Sequence, residues 1–235
     1  MTARKVRDID YILLPGTERK TTDIVIERNG VVTVRPPKNL KPDHIDSVVE
    51  SKRMWIYKNL ADWRDKNATR VVRQWVNGES FLYLGRSFRL KLVAKQKEDL
   101  KLKDGRFCLR RSTVDKAGEQ AAKKVFEEYF TEKGQKRFEE RVKYFAPKVG
   151  VEPSSVLVKE LGYKWGSCSK TGKIAFHWKA MMAKPKVIDY IVVHELCHMH
   201  QRDHNDEFWN EVDKVMPDYH ERKEWLKMNG ANFDL

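Results

Sequence analysis

Residues 187–209, VIDYIVVHELCHMHQRDHNDEFW, decide how the rest of this chain is read. The stretch begins as an apolar run, Val187, Ile188, Tyr190, Ile191, Val192 and Val193, which marks a buried helix announced by Pro185. Its polar part holds four of the chain's seven histidines, His194, His198, His200 and His204, a crowding that surface chemistry does not require. His194-Glu195-Leu196-Cys197-His198 places two imidazoles four residues apart, so both project from one face about one turn apart and can reach a single metal ion. Glu195 is offset by about 100° and can address a water beside that ion. His204 follows after the chain leaves the helix and reads as a third ligand, leaving a fourth position open as in catalytic rather than structural zinc sites. His200 and His204 are also four apart, but no glutamate stands beside His200 and Asp203 puts that pair in a polar stretch. His200 is therefore assigned to solvent or to the surroundings of the site, and Cys197 to helix packing. Asp189, Asp203, Asp206 and Glu207 are candidates to orient the imidazoles through their second ring nitrogen.

Upstream the hydrophobic period changes several times. Between Tyr11 and Pro36, IVIE and VVTV flank Arg28-Asn29-Gly30, a hairpin signal, and imply a small antiparallel sheet. From Pro42 the three-and-four spacing of Ile45, Val48, Val49, Trp55 and Ile56 predicts a helix running toward Trp63. Strand alternation returns over residues 79–94 around Gly85 and again over Arg106 to Arg111. Asp115 to Phe145 reads as a long amphipathic helix or a pair broken near Gly134. Short strands follow at Ser155 to Leu161 and Lys173 to Trp178, then the His-bearing helix to about Gln201, then a last helix from Asp206 to Lys227 interrupted near Pro217. The expectation is an α+β chain: a sheet-rich part over residues 1–114, then a zincin-like helical core with a small antiparallel sheet over residues 115–235.

Composition narrows the class. At 235 residues, 40% hydrophobic and 11% aromatic, the chain is long and apolar enough to build a core and too aromatic for a disordered one. No run of about 18 apolar residues occurs, so no spanning helix and no membrane association is expected. MTARKVRDID lacks the apolar stretch of an export signal, and the three cysteines, Cys108, Cys168 and Cys197, form no CxxC pair. The expected location is the cytoplasm. Residues 1–120 carry 27 basic and 16 acidic side chains, which holds most of the net charge of +13 in that half. Such an excess attracts polyanions and allows a weak association with nucleic acid. The cations are scattered, however, and the densest patch, Lys95 to Arg111, is broken by acids and reads as a solvated hairpin.

Three blocks carry a family likeness: Lys164-Trp165-Gly166-Ser167-Cys168-Ser169 with Gly172 to Trp178, the helix leading into His194 to His198, and His204-Asn205-Asp206-Glu207-Phe208-Trp209. They resemble the YgjP-like metallopeptidase-domain proteins, relatives of the SprT-like and WLM metallopeptidase groups. A looser N-terminal pattern extends the resemblance over nearly the whole chain. It implies a zinc-dependent hydrolase with His194, His198 and His204 holding Zn²⁺ and Glu195 as the catalytic carboxylate. Cys197 departs from the family's usual alanine. His177 stands where asparagine is common, and alternation along its strand makes it an outward-facing residue.

A peptidase of this kind would take an extended peptide on the Lys173 to Trp178 strand as an added strand, with Trp165-Gly166-Ser167 shaping the mouth. Tyr219, His220 and His177 are candidate oxyanion donors. The resemblance also admits a metal-dependent pyrophosphohydrolase acting on nucleoside triphosphates such as UTP, although no phosphate loop of the G-x-x-x-x-G-K-[ST] kind is present. A third class is a nucleic-acid-associated binding protein whose metal helix is subsidiary.

Overall fold

A computed structural model describes residues 2–27, 30–67, 73–162 and 164–235. The chain divides into two compact units, Met1–Arg70 and Val71–Leu235.

In the first unit, β1 (Thr2–Val6), β2 (Ile9–Leu13), β3 (Asp23–Ile26) and β4 (Val32–Arg35) form a sheet in the order β1-β2-β4-β3. It is mixed rather than antiparallel throughout, because β2 and β4 run parallel. β3 and β4 pair antiparallel as the hairpin reading requires, while Arg28 and Asn29 of its turn lie outside the described residues. The helix expected from Pro42 is two helices, α1 (Pro42–Ser51) and α2 (Arg53–Asn67), parted at Lys52. Ile45, Val49 and Ile56 from these helices close a small core with Ile9, Tyr11, Val32 and Val34 of the sheet. Asp46 of α1 accepts hydrogen bonds from Tyr11 and Arg4 and ties helix to sheet.

The second unit opens with β5 (Ser80–Tyr83), β6 (Arg86–Val93), β7 (Leu100–Lys103) and β8 (Arg106–Arg110), ordered β5-β6-β8-β7 with β6 and β8 parallel. The β7–β8 hairpin is not merely solvated: Leu100, Phe107 and Leu109 are buried. Phe107 meets Phe126 of the long helix α3 (Arg111–Val149) at 5.1 Å between ring centroids, inside one cluster with Phe81 and Phe130. That packing moves the division of the chain. The expected boundary at residues 114 and 115 falls inside the second unit, because the apolar face of this sheet is covered by α3 itself. The sequence pattern showed the change from strand to helix, but not that the two share a core.

α3 leaves helical geometry at Gly118 (φ 73°, ψ −173°) rather than near Gly134. Gly134 is a point of close approach: a Cβ there would lie 3.2 Å from Met181 and 3.3 Å from Val158, so glycine lets α3 settle onto the next sheet. That sheet comprises β9 (Ser155–Lys159), β10 (Gly166–Cys168) and β11 (Lys173–His177) in the order β10-β11-β9. It too is mixed, with β11 antiparallel to β10 and parallel to β9. The strand expected at the edge, β11, is therefore in the middle. Gln135 of α3 closes the far side of β9 by bonding Val156 O and Val158 N–H, and β10 is the other edge strand, with Arg202 Nη1 3.5 Å from its Cys168 O.

α4 (Pro185–Cys197) is buried on nearly every face between α3, β10, α5 (Asp206–Val215) and α6 (Tyr219–Asn229). Its β-branched run is a poor helix former in isolation, so this helix owes its stability to tertiary packing. It ends at Cys197, a turn earlier than the expected Gln201, as the chain reverses toward α5. The architecture is α+β, as expected. Among the described residues no helix is long and apolar enough to cross a membrane.

Candidate metal centre

His194 and His198 occupy the last turn of α4 and the residue that caps it, and the reversal through Arg202 brings His204 back over them. The reversal is held where α5 begins: Asn205 caps that helix by accepting the Phe208 N–H at 2.9 Å. The three imidazole centroids form a near-equilateral triangle of 4.8, 4.9 and 4.7 Å. One nitrogen from each ring lies within 4.8 Å of the others, and His194 Nε2 and His204 Nε2 face each other at 3.0 Å. Two such lone pairs at this distance call for a proton or a cation between them.

Electrostatics makes the cation the better occupant. Burial drives the His194 pKa down to about 3, with His198, His204 and Lys223 adding to the effect. Burial likewise lowers His198 and His204. Rings that resist protonation keep their lone pairs available, and three neutral imidazoles suit zinc and its borderline-soft neighbours. His198 Nδ1 lies 3.0 Å from Gln201 O, which makes it the donor and leaves Nε2 as the ligand nitrogen. Among the described residues His194 Nδ1 is buried without a hydrogen-bond partner, and the ring packs against Phe208 at 4.9 Å and Tyr190 at 5.8 Å. Trp209 stacks on His204 at 5.6 Å, and Tyr219 stacks on Trp209 at 5.3 Å.

Of the acids expected to orient the rings, Asp189 and Glu207 bond elsewhere. Asp189 receives a two-pronged bond from Arg141 at 2.7 and 3.0 Å, and Glu207 accepts from Asn205 Nδ2. Asp203 acts on His198 and His204 only through its charge. His200 points away from the triad to Val149 O at 3.0 Å.

Glu195 is buried, and burial raises its carboxyl to about 8, with Lys164 pulling weakly the other way. It packs against β10: a Cβ on Gly166 would stand 2.5 Å from Glu195 Cγ and 2.6 Å from Oε1. Only glycine fits there, a constraint that the Trp165-Gly166-Ser167 pattern suggested as a mouth but did not connect to Glu195. A cavity of about 410 Å³ opens over the triad, walled by Trp165, Gly166, Cys168, Tyr190, Glu195 and Arg202. Tyr219 and His220 are not among its walls.

His177 is fully buried rather than outward-facing, because β11 is a central strand covered on both faces. Its Nδ1 accepts the Lys179 N–H at 3.1 Å, and its Nε2 lies 2.9 Å from Glu160 Oε1. Glu160 also accepts from Gly162 N–H and Trp178 Nε1–H, and His177 N–H donates to Trp165 O at 2.9 Å. This clasp fixes the segment that carries Trp165 and Gly166 to Glu195. Burial pushes Glu160 upward, but the bonds from His177, Gly162 and Trp178 outweigh it and hold the carboxyl at about 2. A folded pKa below the unfolded one means that the clasp stabilises the fold above pH 4.5 and loses that contribution as pH falls toward 2. Urea unfolding midpoints of Glu160→Gln are accordingly expected to fall less steeply than those of the native chain between pH 4.5 and 2. Parallel slopes would show that the clasp contributes nothing.

Residues 20–229 match the family described as YgjP-like, metallopeptidase domain. Among solved structures, the metallopeptidase zymogen abylysin of Pyrococcus abyssi is 24% identical over 38% of this chain and 90% of its own, with a TM-score of 0.36. No curated protein matches. A family match over nearly the whole length, on a chain whose histidines converge beside a buried glutamate, shows that it belongs to the YgjP-like metallopeptidase-domain family.

Proposed function

We propose that the chain is a zinc-dependent peptidase with a zincin-like core, in which His194, His198 and His204 hold the ion and Glu195 is the general base. The observation that carries this reading is the convergence of three neutral imidazoles beside a buried carboxylate at the floor of an open cavity. Zinc so held supplies a Lewis acid that polarises a carbonyl and brings the pKa of a water near 7. Burial alone raises the Glu195 carboxyl, and a cation held by the three imidazoles would favour its ionised form, which can take a proton from the attacking water and return it to the leaving amine. Tyr190 replaces Tyr219 and His220 as the oxyanion donor: it walls the cavity, and burial raises its pKa, which keeps the phenol protonated. The edge strand β10, rather than β11, takes the substrate backbone as an added strand.

A second reading, hydrolysis of a nucleoside triphosphate, is favoured by Lys164 and Arg202 in the cavity wall. The two separate on removal and return of the metal. Chelated protein is expected to lose casein cleavage and to regain it with stoichiometric zinc, while UTP is left intact. Zinc-dependent turnover of UTP without casein cleavage would transfer the site to the second reading.

A further inference from the structure

The β5–β8 sheet has one face against α3 and one toward solvent, and the two differ in kind. Leu90, Phe107 and Leu109 point inward and are buried. The alternate positions carry Arg89 and Lys91 on β6, Lys101 and Lys103 on β7, and Arg106 and Arg110 on β8. Register lines them up: Arg89 stands opposite Arg106, and Arg106 opposite Lys103, so three cations lie side by side across three strands. One row along, Lys91 and Lys101 flank Cys108. Strands about 4.8 Å apart and rows about 7 Å apart make this a compact lattice of charge. Glu98 pairs with Lys101 at 3.5 Å and Asp99 with Arg110 at 3.1 Å. Among the described residues, Arg89, Lys91, Lys103 and Arg106 have no ion-pair partner, and Asp104 in the β7–β8 turn forms no ion pair with them. Like charges directly opposite one another weaken a sheet, so folding alone does not account for the row.

We propose that this face docks a nucleic-acid duplex through its phosphates. A duplex carries one negative charge per about 1.7 Å of axis and offers several phosphates to a patch of this width. No aromatic side chain occupies the outward positions of β6, β7 or β8, so the stacking platform used by single-strand binders is missing. The outward face of β6, β7 and β8 also lacks the large apolar side chains that seat a surface in a bilayer: Leu92 and Leu102 turn inward and pack on the core, and Val93 is the apolar side chain at its margin, opposite Arg110. What remains is sequence-independent contact with a rigid polyanion. The surface is separate from the histidine centre, and the proposal stands whether or not that centre holds zinc.

Fluorescence anisotropy of the full chain with a labelled 20-base-pair duplex tests it. Micromolar binding is expected at 50 mM salt, with a slope of log affinity on log salt of about −4. Lys91→Glu/Arg106→Glu reverses one charge in each row and is expected to weaken binding at least about 50-fold at 100 mM salt. The melting midpoint of that variant is expected not to fall, since the new carboxylate at position 106 stands between Arg89 and Lys103. Lys91→Gln/Lys103→Gln, which only removes charge, is expected to weaken binding by about 10-fold or more, and Glu195→Gln to bind as the native chain does. Absence of duplex binding at 50 mM salt, undiminished affinity in both charge variants, or binding to phosphatidylserine vesicles with no binding to duplex would overturn the proposal.

Discussion

Glu195→Gln is expected to lower peptide turnover by about 10²–10⁴-fold while zinc stays bound at one ion per chain. The amide has nearly the shape of the carboxylate, so it leaves the packing against Gly166 in place, but it cannot take a proton from water. The loss is expected in kcat, with KM little changed, because Glu195 lies in the cavity wall and, as the proposed base, would act in the transition state. The substitution is also expected to raise stability slightly near neutral pH, where a buried carboxylate must give up its charge or endure desolvation. Casein or peptide cleavage, zinc content and thermal melts of the same preparation check all three. Native-like turnover in the variant would remove Glu195 from the chemistry.

Gly166→Ala is expected to approach the same loss from the other side of the contact. A methyl group at that position would lie 2.5 Å from Glu195 Cγ and 2.7 Å from Cδ, well inside van der Waals separation. Either β10 moves away from α4 or the Glu195 side chain turns out of its place. Overpacking of this kind costs about 1–3 kcal/mol, and the displaced carboxylate is expected to bring kcat down to within about tenfold of Glu195→Gln. Because both residues meet at one contact, Gly166→Ala/Glu195→Gln is expected to be scarcely slower than either single variant. Additive losses would mean that Gly166 acts independently of Glu195.

The meeting of the three imidazoles was legible because its logic is local. His194, Glu195 and His198 follow from the period of one helix, and His204 from a short return loop, so residues within one stretch of 23 determine their own convergence. Features that depend on distant pairing were hidden. Gly166 meets Glu195 from another strand, and nothing in its neighbours in sequence shows that contact. His177 alternates like an exposed residue, yet β11 is central and covered on both faces. The break in α3 lies at Gly118, whereas Gly134 serves a close approach that only the packed structure shows. The boundary between units was misplaced because the contact of Phe107 with Phe126 joins a strand and a helix that look like separate segments. Scattered cations in the same region gather on one sheet face only once the register of β6, β8 and β7 is known.

X-ray absorption at the zinc edge tests the central claim most directly, on protein stripped with chelator and reloaded with one equivalent of zinc. The structure predicts three imidazole nitrogens at about 2.0–2.1 Å with one further light ligand, falling to two imidazoles in His204→Ala. A first shell containing sulfur, or one with the same imidazole count in the native chain and in His204→Ala, would contradict it.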